Sequence, residues 1–174
     1  PPTAKLKECL RSIEPITDKF IISYNGEDED TLKCLASFFN NNGIREIPNE
    51  SPYESGYRVY QRDWKGYLKS RNEALDLAEQ HMQDHEFILK MDPDEYLRGG
   101  LNLRAMARAS DPDVIDTYCY GDTRFKFHRL WKKSTGGRYK GRYHEIPVFD
   151  NADETILMTS GEADVKPATE ADPK

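Results

Sequence analysis

The sequence is poor in cysteine, with three in 174 residues and no CxxC pair. Cys9, Cys34 and Cys119 are far apart and odd in number, which argues against a disulfide framework and against a structural zinc site. They read as small buried apolar residues and fit a reducing compartment. No apolar run approaches the ~20 residues needed to span a bilayer. A charged start followed by an apolar h-region is also missing, so no signal peptide is visible, and the expected location is the cytoplasm. An excess of basic residues is lacking too: 25 Lys and Arg stand against 31 Asp and Glu, a formal net charge of −6. A broad grip on nucleic-acid phosphates needs the opposite sign. That balance still leaves room for a local basic site facing a small anion.

What the chain does have is aromatic residues, seven Phe, ten Tyr and two Trp. Chains that stay unfolded are poor in these. The length suits one domain, or one domain with a tail, and is enough to bury a core. Residues 1–150 read as that domain and residues 151–174 as an acidic extension, with a flexible tail from Gly161.

Hydrophobic periodicity predicts a helix over Thr3–Ile13, with Leu6, Leu10 and Ile13 on one face and Pro15 closing it. Phe20-Ile21-Ile22 reads as a buried strand. A second helix carries Leu32, Leu35, Ala36 and Phe39, and Asn40 to Gly43 stops it. Ile44–Ile47 is expected to be a strand, and Asn49–Gly56 is turn-rich. A long helix from about Trp64 to Met82, a strand Phe87–Met91, a helix Asn102–Ala109 and a strand Val114–Tyr118 follow. Helix–strand alternation of this kind predicts an α/β fold with a mostly parallel central sheet flanked by helices. Arg124–Trp131 alternates, with Phe125 and Phe127 on one side. With Arg138–Val148 it suggests an added antiparallel hairpin across the Gly136-Gly137 turn. Thr155–Met158 is a last candidate strand.

Three segments carry candidate chemistry. Lys90-Met91-Asp92-Pro93-Asp94-Glu95 places three carboxylates at the end of an apolar strand. Ligands of open α/β sheets bind beyond such strand ends. Carboxylates there suit a hard divalent cation shared with substrate phosphates. The alternative is a solvated acidic turn, since Asp-Pro-Asp is ordinary turn chemistry. Ser70-Arg71-Asn72-Glu73-Ala74-Leu75 puts an arginine in the first turns of a helix, where it can hold a phosphate bidentately or simply be solvated. Trp64 and Tyr67, just upstream, read as core or lip residues. Tyr139-Lys140-Gly141-Arg142-Tyr143-His144-Glu145 sets a histidine beside a carboxylate with two cations nearby. His and Glu can serve as metal ligand or general acid and base. Lys132, Lys133 and Arg138 read as a solvated face, or as charge that helps neutralise a diphosphate.

In this order and spacing, over roughly residues 6 to 148, the segments resemble the family 2-like glycosyltransferases of the GT-A fold. The Glu8–Ile13 helix followed by Asp18–Ile22 is similar to that family's first helix and second strand. The resemblance implies a GT-A-like sheet and a transferase that uses a nucleoside-diphosphate sugar donor, Mn²⁺ or Mg²⁺, and a glycan or other hydroxyl acceptor. It implies inversion at the anomeric carbon. By the same carry-over, Asp94 is the main metal ligand, Asp92 lies near ribose and metal, and Glu95 is a third carboxylate. Arg71, with Asn72, holds the donor diphosphate or nucleotide, and Arg142 adds positive charge. Glu145 is the base, and His144 sits on the metal, diphosphate or acceptor side. The sequence departs from the family in two places. No strand precedes the first helix, so the 174 residues are expected to belong to a longer protein. Tyr24 stands where the family has a base-reading Asp, and it either stacks on the base or packs. The rival readings are a metal-dependent nucleotidyltransferase, which lacks its Gly-rich basic loop here, and a non-catalytic nucleotide- or carbohydrate-binding module.

Overall fold

The computed structural model describes residues 3–48, 54–120, 124–141, 145–158 and 162–167. In chain order the elements are α1 (Thr3–Ile13), β1 (Lys19–Tyr24), α2 (Glu29–Asn41), β2 (Gly56–Gln61), α3 (Tyr67–Glu79), β3 (Phe87–Leu89), β4 (Glu95–Arg98), α4 (Gly100–Ser110), β5 (Val114–Tyr120), β6 (Arg124–Lys132), β7 (Arg138–Lys140), β8 (Ile146–Val148), β9 (Thr155–Leu157) and β10 (Asp164–Pro167). The chain divides into two compact units. One comprises Pro1–Thr17, Ile88–Trp131 and Ala152–Lys174, and the other Asp18–Phe87 and Lys132–Asn151.

In the second unit a strand, a helix and a parallel strand form in succession, but the second strand is β2 and not the expected Ile44–Ile47. β1 and β2 are parallel, with Phe20 opposite Tyr57 and Ile22 opposite Val59, and α2 lies between them in sequence. Asp28 starts α2 by accepting from the amides of Asp30 and Thr31, which satisfies two of the donors a helix N-terminus leaves open. Phe39 of α2 is fully buried, stacked on Tyr57 at 4.1 Å and edge-on to Phe20 at 5.3 Å. Gly56 begins β2 with φ 147°, and a Cβ there would lie 2.3 Å from the Arg45 carbonyl oxygen. α3 packs on β1 and β7.

The first unit carries the largest sheet, in the order β3-β6-β5-β10-β4. One edge of β5 pairs antiparallel with β6. Its other edge is shared end to end by β9, alongside Val114–Asp116, and β10, alongside Tyr118 and Cys119, both parallel. β4 closes antiparallel on β10. α1 packs on β4 through Leu6, Cys9, Leu10 and Ile13, all buried. Trp131, Ile115, Val114 and Leu103 have no exposed surface.

These pairings overturn the expected mostly parallel, GT-A-like central sheet. Among the described residues the strands form three separate sheets, and the main one is mixed. The physical reason is where the partners come from. β6 follows β5 after only a few residues and folds back antiparallel on it, while β4 lies at the opposite edge from β3 and takes β10 as its antiparallel partner. The remaining edge of β5 is filled from the far C-terminal part of the chain. The reading of a flexible tail from Gly161 changes accordingly, because β10 buries Ala163, Asp164 and Val165 in the sheet. Asp164 is held there by Arg98. Gly99 (φ 74°) permits this approach, since a Cβ would sit 1.9 Å from the Glu162 carbonyl oxygen.

Smaller differences have similar causes. The hairpin expected between Arg124–Trp131 and Arg138–Val148 does not form. β6 pairs with β5, and the hairpin is β7 with β8, inside the second segment. Ile44–Ile47 contributes one bridge, Glu46 to Tyr57, instead of a strand. Among the described residues no helix is long and apolar enough to cross a membrane.

Candidate functional site

In the first unit, the chemistry gathers at the turn between β3 and β4. The Glu95 amide donates to the Asp92 carbonyl at 3.0 Å, and the Asp92 amide donates back to Glu95 Oε2 at 2.9 Å. This reciprocal pair closes the Asp92-Pro93-Asp94-Glu95 turn. Lys90 Nζ lies 2.5 Å from Asp92 Oδ2. Burial pushes the Lys90 pKa down, against the pull of Asp92. Glu95 is gripped by Arg129 of β6, whose Nη1 and Nη2 reach its two oxygens at 2.8 and 2.5 Å. Burial disfavours the charged form of Arg129, but Glu95 and the Cys119 sulfur overcome this and hold its pKa above the ordinary value. Cys9 Sγ donates to the Asp92 carbonyl at 3.4 Å. Burial, reinforced by Glu95, Asp92 and Asp94, pushes this thiol up to about 12, so it stays neutral.

Lys90 and Arg129 therefore neutralise two of the three carboxylates. Asp94 is exposed and has no ion pair among the described residues. Glu95, expected as a third metal ligand, is instead the counter-ion of a buried arginine. Among the described residues, no group of three or more His, Cys, Asp or Glu side chains is arranged to hold a metal ion. The donor that remains, Asp94, with Asp92 two residues before it already paired to Lys90, suits a hard cation that takes most of its ligands from phosphates and water. It does not suit a cation caged by protein.

In the second unit, two of the segments singled out from sequence meet. Arg71, one turn into α3, places Nη1 3.3 Å from Glu145 Oε2, just before β8. The Arg71 guanidinium also lies 5.3 Å from the Tyr139 ring centroid and 5.7 Å from that of Tyr67. Asn72 acts as a piece of strand edge: its Nδ2 donates to the Tyr139 carbonyl at 3.0 Å, and its Oδ1 accepts from the Tyr139 amide at 2.8 Å. An aspartate could accept but not donate here, which explains the amide. Arg138, expected on a solvated face, instead forks onto Glu79 at 2.5 and 2.7 Å and reaches Asp76 at 3.1 Å. These contacts fix β7 against α3.

The chain matches no family model and no curated protein.

Tyr24 is occupied within its own loop. Its hydroxyl donates to the Asp28 carbonyl at 2.8 Å, and its ring fills the space where Gly26 lacks a Cβ. Beyond the carboxyl ends of β1 and β2 lies a shallow cleft of about 470 Å³, lined by residues 25–27 and 61–65. Trp64 and Tyr67 stand at this end of the unit, 54% and 64% exposed and edge-to-face at 4.9 Å. They are lip residues, not core. Arg142 and His144 lie outside the described residues.

Arg129 is the residue that the sequence motifs missed. A signal was present: in the alternating run Phe125 to Trp131 it falls two residues after Phe127, on the same face. A cation on an apolar strand face requires a buried partner.

Proposed function

We propose that this chain acts in metal-assisted glycosyl transfer from a nucleoside-diphosphate sugar to a hydroxyl acceptor such as a glycan. The observation that carries the reading is the meeting of Arg71 and Asn72 with Tyr139 and Glu145. It sets a cation suited to a diphosphate 3.3 Å from a carboxylate suited to take a proton, with the Tyr139 backbone clamped by Asn72.

In the proposed reaction a bond forms between the acceptor oxygen and the anomeric carbon. The bond from that carbon to the diphosphate oxygen breaks, and the electron pair leaves with the nucleoside diphosphate. The acceptor proton passes to Glu145, a general-base role worth ~10² to 10⁴ in rate. Arg71 binds the leaving diphosphate through charge-assisted hydrogen bonds. A diphosphate at Arg71 competes with Glu145 for the same guanidinium, so donor binding loosens the carboxylate for its work on the acceptor. In the other unit, Asp94 with Asp92 would hold Mn²⁺ or Mg²⁺. Such an ion supplies Lewis-acid neutralisation of charge developing on phosphate oxygens. The reading includes inversion at the anomeric carbon.

A thermal-shift screen of nucleoside-diphosphate sugars, with and without Mn²⁺, tests donor binding. The expected result is a rise in Tm for at least one donor that requires Mn²⁺, beyond any effect of the ion alone. A screen in which no donor shifts Tm under either condition contradicts the reading.

A further inference from the structure

Arg129 sits beneath the β3–β4 turn with only 3% of its surface exposed. A buried guanidinium is tolerated only with full compensation. Here it comes from three directions. Glu95 takes the fork through both oxygens, at 2.8 and 2.5 Å. The Cys119 sulfur on β5 accepts from Nε and Nη2 at 3.4 and 3.2 Å. The Phe127 ring on β6 lies 4.8 Å from the guanidinium carbon. The orientation of Arg129 is thus set by two neighbouring strands of the sheet.

Glu95 passes that orientation on. Its Oε2 accepts both from Arg129 Nη1 and from the Asp92 amide, so one carboxylate oxygen ties the buried cation to the first amide of the turn. The turn closes the other way through the Glu95 amide. Asp94 lies between these two fixed ends, with Pro93 restricting the residue before it. A loop ordered before its ligand arrives binds more tightly, because the ordering has already been accomplished.

We propose that Arg129 is a positioning residue. Acting through Glu95, it fixes the Asp92–Glu95 turn in the shape that presents Asp94, and Glu95 is a brace for that turn instead of a metal ligand. The inference rests on the reading of Asp94 as a cation-binding carboxylate for its functional meaning, but not for its structural content. Arg129→Lys separates shape from charge. Lysine keeps the positive charge and loses the planar fork, so it cannot engage both oxygens of Glu95. Glu95→Gln keeps the size of the side chain and its acceptor oxygen while weakening the grip on Arg129.

The test has two readouts. Amide hydrogen exchange at Asp92 and Glu95 reports the turn itself. Arg129→Lys and Glu95→Gln are each expected to speed exchange there at least ~10-fold, by more than any change at the β5 amides. Titration with Mn²⁺ in the presence of uridine diphosphate, followed by the paramagnetic resonance of free Mn²⁺, reports the consequence. Both variants are expected to weaken binding at least ~10-fold without abolishing it, while Asp94→Asn abolishes it. Unchanged exchange in both variants overturns the proposal. So does loss of all Mn²⁺ binding in Glu95→Gln with normal binding in Arg129→Lys, the pattern of a direct ligand. If Asp94→Asn leaves Mn²⁺ binding intact, the metal reading of Asp94 fails, and the exchange data still decide whether Arg129 braces the turn.

Discussion

Replacing Glu145 by Gln separates proton transfer from the ion pair that holds the residue. Glu145 and Arg71 are 15% and 27% exposed in their side chains and 3.3 Å apart. Glutamine retains an oxygen that can accept from Arg71 but has no place for the acceptor's proton. The stability cost is that of weakening one partly exposed ion pair, up to about 1 kcal/mol. In a chain of this size that moves Tm by no more than about 4 °C. The cost in rate is far larger. Loss of a general base lowers turnover at least ~100-fold, equivalent to about 2.7 kcal/mol of transition-state stabilisation. Donor affinity should survive, because Arg71 remains and is relieved of its competing carboxylate. The assay pairs calorimetric donor binding with initial rates of nucleoside diphosphate release, both well below Tm. Near-normal turnover would remove Glu145 as the base. A parallel collapse of binding and turnover would mean that the Arg71–Glu145 contact is structural only.

The remaining predictions concern other parts of the chain. Asp94→Ala should abolish the Mn²⁺-dependent component of donor binding, and unchanged calorimetry with Mn²⁺ present would contradict its assignment. Val165→Asp places a carboxylate at a position 1% exposed in β10. It should cost at least about 3 kcal/mol, a fall in Tm of at least about 6 °C, whereas an unanchored tail would show no change. Asp28→Ala removes the cap of α2 and should lower stability at neutral pH. The Thr31 hydroxyl and then the Asp30 amide hold the Asp28 carboxyl below its ordinary value of 3.8. Its contribution is therefore complete above about pH 3.8 and is lost as pH falls through the lower folded value, so wild type and variant should converge in acid. A stability gap as large at pH ~2 as at pH ~7 would show that the carboxylate charge is not what caps the helix.

The helices were the most legible part of the sequence. α1 and α2 carry clean apolar stripes with clear stops, and both form where periodicity places them. α3 is shorter than its pattern. It starts after Gly66, at φ 86°, and ends at Glu79, because Trp64 lies on the surface instead of continuing the buried stripe. β2 carries little sequence signal, since Gly-Tyr-Arg-Val-Tyr-Gln is half-buried along most of its length and lacks a strong alternation. Sheet order was the least legible feature. The partners of β5 on one edge lie about 40 residues away, and no local pattern encodes that pairing. In the candidate site, motif spacing selected Arg71, Asn72, Asp94 and Glu145 by residue type. It carried no information on Arg129, nor on the fact that Lys90 and Arg129 already neutralise Asp92 and Glu95. Such pairing depends on which strands become neighbours.

Product analysis tests the central claim most directly. The protein is incubated with Mn²⁺, a donor that raises its Tm and a panel of hydroxyl acceptors, and the released phosphorus species is identified. The account predicts nucleoside diphosphate in equal amount to glycosylated acceptor, with neither formed by Glu145→Gln at more than ~1% of the wild-type rate. Release of pyrophosphate would identify nucleotidyl transfer instead. Donor binding with no release of any product would mark a binding module, and either result would contradict glycosyl transfer.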